Sequence, residues 1–86
     1  MKIAKVTGSV VSTKKEEALV GSKLMIVQFE SSTGAAYGNE EVAVDYVGAG
    51  VGELVLVASG SAVRTRDANH EKPVDLAIVG IIDYVN

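Results

Sequence analysis

The residues with the plainest chemical potential are three alternating glycines in the run Gly48-Ala49-Gly50-Val51-Gly52-Glu53. Glycines at this spacing let neighbouring backbone N–H groups converge, and a concave set of such donors can hold an anion. A dinucleotide fingerprint, however, needs its third glycine three residues after the second, at the start of a helix that supports the pyrophosphate. Here the third glycine, Gly52, comes too early, an acid occupies position 53, and Leu54-Val55-Leu56-Val57 follows. That β-branched and leucine-rich run reads as a strand. The glycines are therefore expected to join two strands, supplying positive φ angles or close backbone approach at a subunit boundary. The alternative is a small anion- or nucleotide-binding module that uses the Gly48 to Gly52 loop.

Other reactive side chains do not assemble into a catalytic set. The single histidine, His70, lies in a polar stretch between Asn69 and Glu71, and there is no cysteine. Thiolate and multi-histidine metal sites are thereby excluded, and no cofactor is implied. Asp75 and Asp83 flank the last apolar run, but eight residues of extended chain put them ~26 Å apart, too far for a carboxylate dyad. Arg64 and Arg66 suit an ion pair between subunits better than a phosphate clamp. Ser12-Thr13-Lys14 lacks an accompanying general base in sequence. The chain reads as a non-enzyme.

The elements that must position these residues are strands. The first is expected over about residues 3–12, with Ala4, Val6 and Val10 on one face and a bend or bulge at Gly8. A polar loop follows to Ser22. The second strand, over about 23–30, sets Leu24, Ile26 and Gln28 opposite Met25, Val27 and Phe29. The connection through Gly38 and Asn39 is expected to be the most mobile part. The third strand covers about 41–47, with Val42, Val44 and Tyr46 on one side; the fourth covers 54–59 and the fifth 76–85. Residues 60–66 are expected to form a short helical turn. Five strands with one helical turn predict an all-β fold, a small closed OB-like barrel, in a single domain over residues 1–86.

Composition limits the partners. Eleven acids against eight bases give a formal charge of −3 over 86 residues, whereas a nucleic-acid site needs a basic footprint with stacking aromatics. One phenylalanine, three tyrosines and no tryptophan do not supply that platform. The N-terminal Met1-Lys2-Ile3-Ala4-Lys5-Val6 alternates like a strand and lacks a signal-peptide core, and no apolar run approaches the ~20 residues of a membrane span. A soluble, cytoplasmic protein with neither a nucleic-acid nor a membrane partner is expected. The fourth and fifth runs are apolar on both faces, and a small barrel has only one interior. Their second faces are expected to meet a neighbouring subunit, with Ile78 and Ile81 among the contacts.

Taken together, these segments resemble the EutN/CcmL family of bacterial microcompartment vertex proteins. The opening strand is Ala4-Lys5-Val6-Thr7-Gly8-Ser9-Val10-Val11-Ser12-Thr13-Lys14. The middle signature runs from Asp45-Tyr46-Val47-Gly48-Ala49-Gly50-Val51-Gly52-Glu53 to Gly60-Ser61-Ala62 and Arg64, and the closing one is Lys72-Pro73-Val74-Asp75 with Ala77-Ile78-Val79-Gly80-Ile81-Ile82-Asp83. The resemblance implies a homopentamer of OB-like subunits that occupies the vertices of a polyhedral shell, a carboxysome or metabolosome, among hexagonal shell proteins. Residues expected at the subunit interface or axial loop are Gly48, Ala49, Gly50, Gly52, Glu53, Arg64, Ile78 and Ile81. Those expected at the outer rim, facing the hexagonal proteins, are Lys14, Lys15, Glu16 and Glu17.

Overall fold

A computed structural model describes residues 1–13, 15, 17–60 and 75–86. Strands β1 (Lys2–Val10), β2 (Leu24–Phe29), β3 (Glu41–Asp45), β4 (Leu54–Ser59) and β5 (Leu76–Ile81) close into a barrel in the order β1-β2-β3-β5-β4. Neighbouring strands are antiparallel except β3 and β5, which run parallel through Val44↔Ala77 and Asp45↔Ile78. The expected OB-like barrel is therefore the fold. The expected helical turn at 60–66 lies outside the described residues apart from Gly60. Within the stretch read as a polar loop, Glu17–Leu19 forms a single 3-10 turn, closed by Val20 N–H donating to Glu17 O.

Alternation along each strand fills the barrel. Ala4 and Val6 of β1, Met25, Val27 and Phe29 of β2, Ala43 of β3, Val55 and Val57 of β4 and Ile78 of β5 form one buried cluster. Enclosing the larger of these, the valines, Met25, Phe29 and Ile78, contributes on the order of 1.5–3 kcal/mol each. The register of β1 against β2 slips between Val6 and Gly8, which is the bulge expected at Gly8. A Cβ there would make an ordinary contact of 3.4 Å with Ile26 Cδ1.

β1, β3 and β5 end two or more residues earlier than predicted, each for a local reason. β1 stops at Val10 because its partner β2 begins there, at Leu24. β5 stops at Ile81, opposite Val55, where β4 runs out, and Ile82 N–H closes the ladder on Leu54 O. β3 stops at Asp45 because that side chain captures the amides that follow it. The second face of β4 and β5 is also partly covered from within: Tyr46 and Val79 pack against the buried Ala58 and Ala77. A neighbouring subunit is thus not needed to cover all of it.

The 30–40 connection is extensively hydrogen bonded. Gln28 Nε2 donates to Tyr37 O at 2.8 Å and Gly38 O at 3.2 Å, and Ser31 N–H donates to Ala35 O. Tyr37 stacks on Phe29 at 6.1 Å between centroids, while Lys2 Nζ lies 4.9 Å from the centre of the Phe29 ring. A segment expected to be loose is thereby tied to the barrel wall at several points.

Candidate functional site

Residues 45–53 form a densely hydrogen-bonded loop, and Asp45 organises it. The Asp45 carboxylate accepts N–H bonds from Val47 (2.9 Å) and Gly48 (3.1 Å) on Oδ1 and from Ala49 (2.8 Å) on Oδ2. Lys23 Nζ pairs with Oδ2 at 3.1 Å and donates to Ala49 O at 2.8 Å. The Asp45 side chain has no solvent exposure, while that of Lys23 is half exposed. Burial alone would raise the Asp45 pKa, but the N–H bonds from Val47 and Ala49 and the Lys23 ammonium outweigh it and hold the carboxyl below its ordinary value of 3.8.

The rest of the loop is fastened in the same way. Gly50 N–H donates to Glu53 Oε1 at 2.6 Å, Gly52 N–H to Val6 O at 2.8 Å, and Val6 N–H returns to Glu53 O at 2.9 Å. The loop is a nest of amides already filled by two carboxylates of its own chain. The anion-module alternative fails on this point: the donors it requires at Gly48, Ala49 and Gly50 are taken, and a phosphate would have to displace Asp45 and meet its charge.

The glycines divide the expected roles. Gly48 (φ 79°) and Gly52 (φ 92°) occupy the left-handed region, with open space where a Cβ would be. Gly50 has no such angle, and a Cβ there would sit 3.2 Å from Glu53 Oε1, so its contribution is close approach. Gly52→Val is therefore expected to cost about 1–3 kcal/mol through backbone strain alone. Gly50→Ala should cost less, because the far end of a glutamate can shift. Thermal unfolding of the two variants checks the order; equal midpoints would show that the loop tolerates either geometry.

Among the other predicted site residues, Glu53 joins the glycines in the loop and Ile81 stands at the same barrel end, 39% exposed. Ile78 requires correction: its side chain is fully buried in the barrel core and has no surface to offer a neighbour, while Ala49, whose side chain is also buried, keeps its place in the loop. Lys15 and Glu17 are exposed. Arg64, Lys14 and Glu16 lie outside the described residues, as do Arg66, His70 and the 67–72 stretch. Asp75 and Asp83 fall at opposite ends of β5, as the extended-chain estimate required. Sequence reasoning missed Asp45 and Lys23 as the organising pair. The signal was the Asp45-Tyr46-Val47-Gly48 spacing, in which an aspartate precedes a turn and can bond the amides two and three residues on.

The opposite mouth of the barrel holds a cavity of about 60 Å³ lined by Lys2, Phe29, Glu41, Val57, Ser59 and Leu76. That is room for a few waters. Among the described residues no group of acids or histidines is placed to hold a metal ion, and no helix is long and apolar enough to cross a membrane.

Comparison with known proteins places this architecture. Residues 1–83 match the family described as ethanolamine utilisation protein EutN/carboxysome. The carboxysome shell vertex protein CcmL of Synechocystis is 52% identical over 86 residues, covering all of this chain and 86% of that protein. The bacterial microcompartment shell vertex protein PduN of Salmonella typhimurium is 48% identical over 90 residues, covering all of this chain and 99% of that one. The solved structure of GrpN, a pentameric microcompartment shell protein from Rhodospirillum rubrum, superposes with a TM-score of 0.89 at 43% identity, covering 100% of this chain and 98% of that one.

Proposed function

The chain belongs to the EutN/CcmL family, and from that premise we propose that it is a structural shell protein, not an enzyme, whose pentamers close the vertices of a bacterial microcompartment. Its place is then the shell of that compartment, within the cytoplasm. The observation that carries this reading is likeness to shell vertex proteins along the whole chain, in sequence and in barrel architecture alike. A flat layer of hexagonal units cannot curve into a closed polyhedron, so five-fold units must occupy its corners. Residues 1–86 act as one vertex domain, with hexagonal shell proteins as partners around a homopentamer. A ring of this kind uses a head-to-tail contact, with two different complementary patches on every subunit. Gly48, Gly50, Gly52, Glu53 and Ile81 belong to the loop and barrel end assigned to that contact or to the ring axis.

Light scattering coupled to size exclusion is expected to give about five times the chain mass of 8.9 kDa. A folded species of single-chain mass at micromolar concentration would overturn the pentamer. The outer rim is assigned to Lys14, Lys15, Glu16 and Glu17, where charge matching to the facet proteins would be made. Reversing Lys14 and Lys15 to glutamate is expected to leave the ring mass unchanged while shells co-expressed with the variant show open or misshapen corners by electron microscopy. Normally closed shells containing the variant would move the rim elsewhere.

A further inference from the structure

The mouth of the barrel opposite the glycine loop draws side chains from every strand. Lys2 comes from β1, Phe29 from β2, Glu41 from β3, Leu76 from β5, and Val57 and Ser59 from β4. Phe29 and Val57 are buried and Leu76 is half-buried, so the floor of the cavity is apolar, while Lys2, Glu41 and Ser59 are exposed at its rim. In the closed order β1-β2-β3-β5-β4, Lys2 and Glu41 stand on the two strands that flank Phe29. The floor is fixed in place, because Phe29 stacks on Tyr37 and its carbonyl accepts the Tyr37 N–H at 3.0 Å. Lys2 Nζ is held above the same ring, 4.9 Å from its centre, by a cation–π contact. Neither Lys2 nor Glu41 forms an ion pair with another described residue.

This combination selects a ligand by size and by charge. A cavity of about 150 Å³ holds benzene, so the 60 Å³ here encloses about two or three carbon atoms and leaves the ends of a ligand at the rim. We propose that this mouth binds a small α-amino acid of alanine's size, as the zwitterion. The Lys2 ammonium and the Ser59 hydroxyl donate to its carboxylate, its own ammonium donates to the Glu41 carboxylate, and its Cα and methyl group rest on Phe29, Val57 and Leu76. A simple carboxylate would satisfy Lys2 but face Glu41; a simple amine would satisfy Glu41 but face Lys2. A ligand carrying both charges is attracted at both ends. Because both charged side chains stay in water, each ionic contact is weak, and a Kd in the millimolar range is expected. The site lies within one chain, so it adds a binding capacity to the shell role without depending on the ring.

Titration of the isotope-labelled protein with L-alanine, followed by its backbone amide resonances, tests the site. Saturable shifts are expected at Lys2, Glu41, Ser59 and Leu76, whereas acetate, ethylamine and L-leucine should each bind roughly tenfold more weakly. Lys2→Met and Glu41→Gln are each expected to weaken alanine binding roughly tenfold, while Lys5→Met, on the same strand as Lys2 but outside the cavity, should leave it unchanged. Both rim substitutions fall on exposed side chains, and circular dichroism checks their fold. Shifts that stay linear with alanine, acetate binding as tight as alanine's, or unchanged binding in both rim variants would each overturn the site. Light scattering of the same samples reads the ring separately: a monomer that binds alanine would overturn the pentamer and leave this site standing.

Discussion

Replacing Asp45 with asparagine is expected to lower the stability of the folded chain by roughly 2–4 kcal/mol, because one carboxylate satisfies three amides and one ammonium in a place closed to water. Asparagine keeps one acceptor oxygen but turns an NH₂ group toward donors that need an acceptor. It also leaves Lys23 without its charge partner. Lys23→Met should cost less, since the lysine side chain is half exposed and the three amide bonds survive its loss. The pH dependence follows from the direction of the shift. The folded pKa of Asp45 lies below the ordinary 3.8, so its contribution is fully present above that value and is lost as pH falls through the folded one. Chemical denaturation of the parent chain should therefore steepen in acid below about pH 4, with that limb shallower in Asp45→Asn. Parallel acid limbs in the two proteins would show that Asp45 is not linked to folding.

The strand plan was legible because period-2 burial leaves a direct mark: Met25, Val27 and Phe29 alternate with Leu24, Ile26 and Gln28, and the bulge at Gly8 sits where a glycine interrupts an apolar face. Strand ends were less legible, because each is set by its partner. Nothing in residues 82–85 says that β4 has run out beside them, and only pairing shows it. The glycine loop was read correctly as a connection, yet its cause lay upstream in Asp45 and on another strand's approach in Lys23. A contact from position 23 to 45 or 49 has no local signature. The assignment of Ile78 to an interface failed for a related reason. A run that is apolar throughout does not reveal which residue faces inward, and the register slip of β5 between its pairs with Leu56 and Val57 interrupts simple alternation.

Ile78→Ala is expected to be the most damaging single truncation of the barrel, at about 2–5 kcal/mol. Ile78 is fully enclosed, among the largest of the buried side chains, and packs in the main cluster of the described core. Deleting three carbons there removes transfer free energy and leaves a void that strands on all sides cannot collapse to fill. A chain of 86 residues has net stability on the order of 4–13 kcal/mol, so the loss is a large fraction of the whole. Ile81→Ala supplies the contrast, because Ile81 is 39% exposed at the glycine-loop end. Its truncation should change barrel stability little and act on assembly, lowering the protein concentration dependence of the melting temperature that ring formation imposes. The two variants thus separate core from boundary: Ile78→Ala should lower the melting temperature at every concentration, with the folded fraction still running at ring mass. An Ile78→Ala protein that melts like the parent but dissociates would return Ile78 to the interface and overturn its placement inside the barrel.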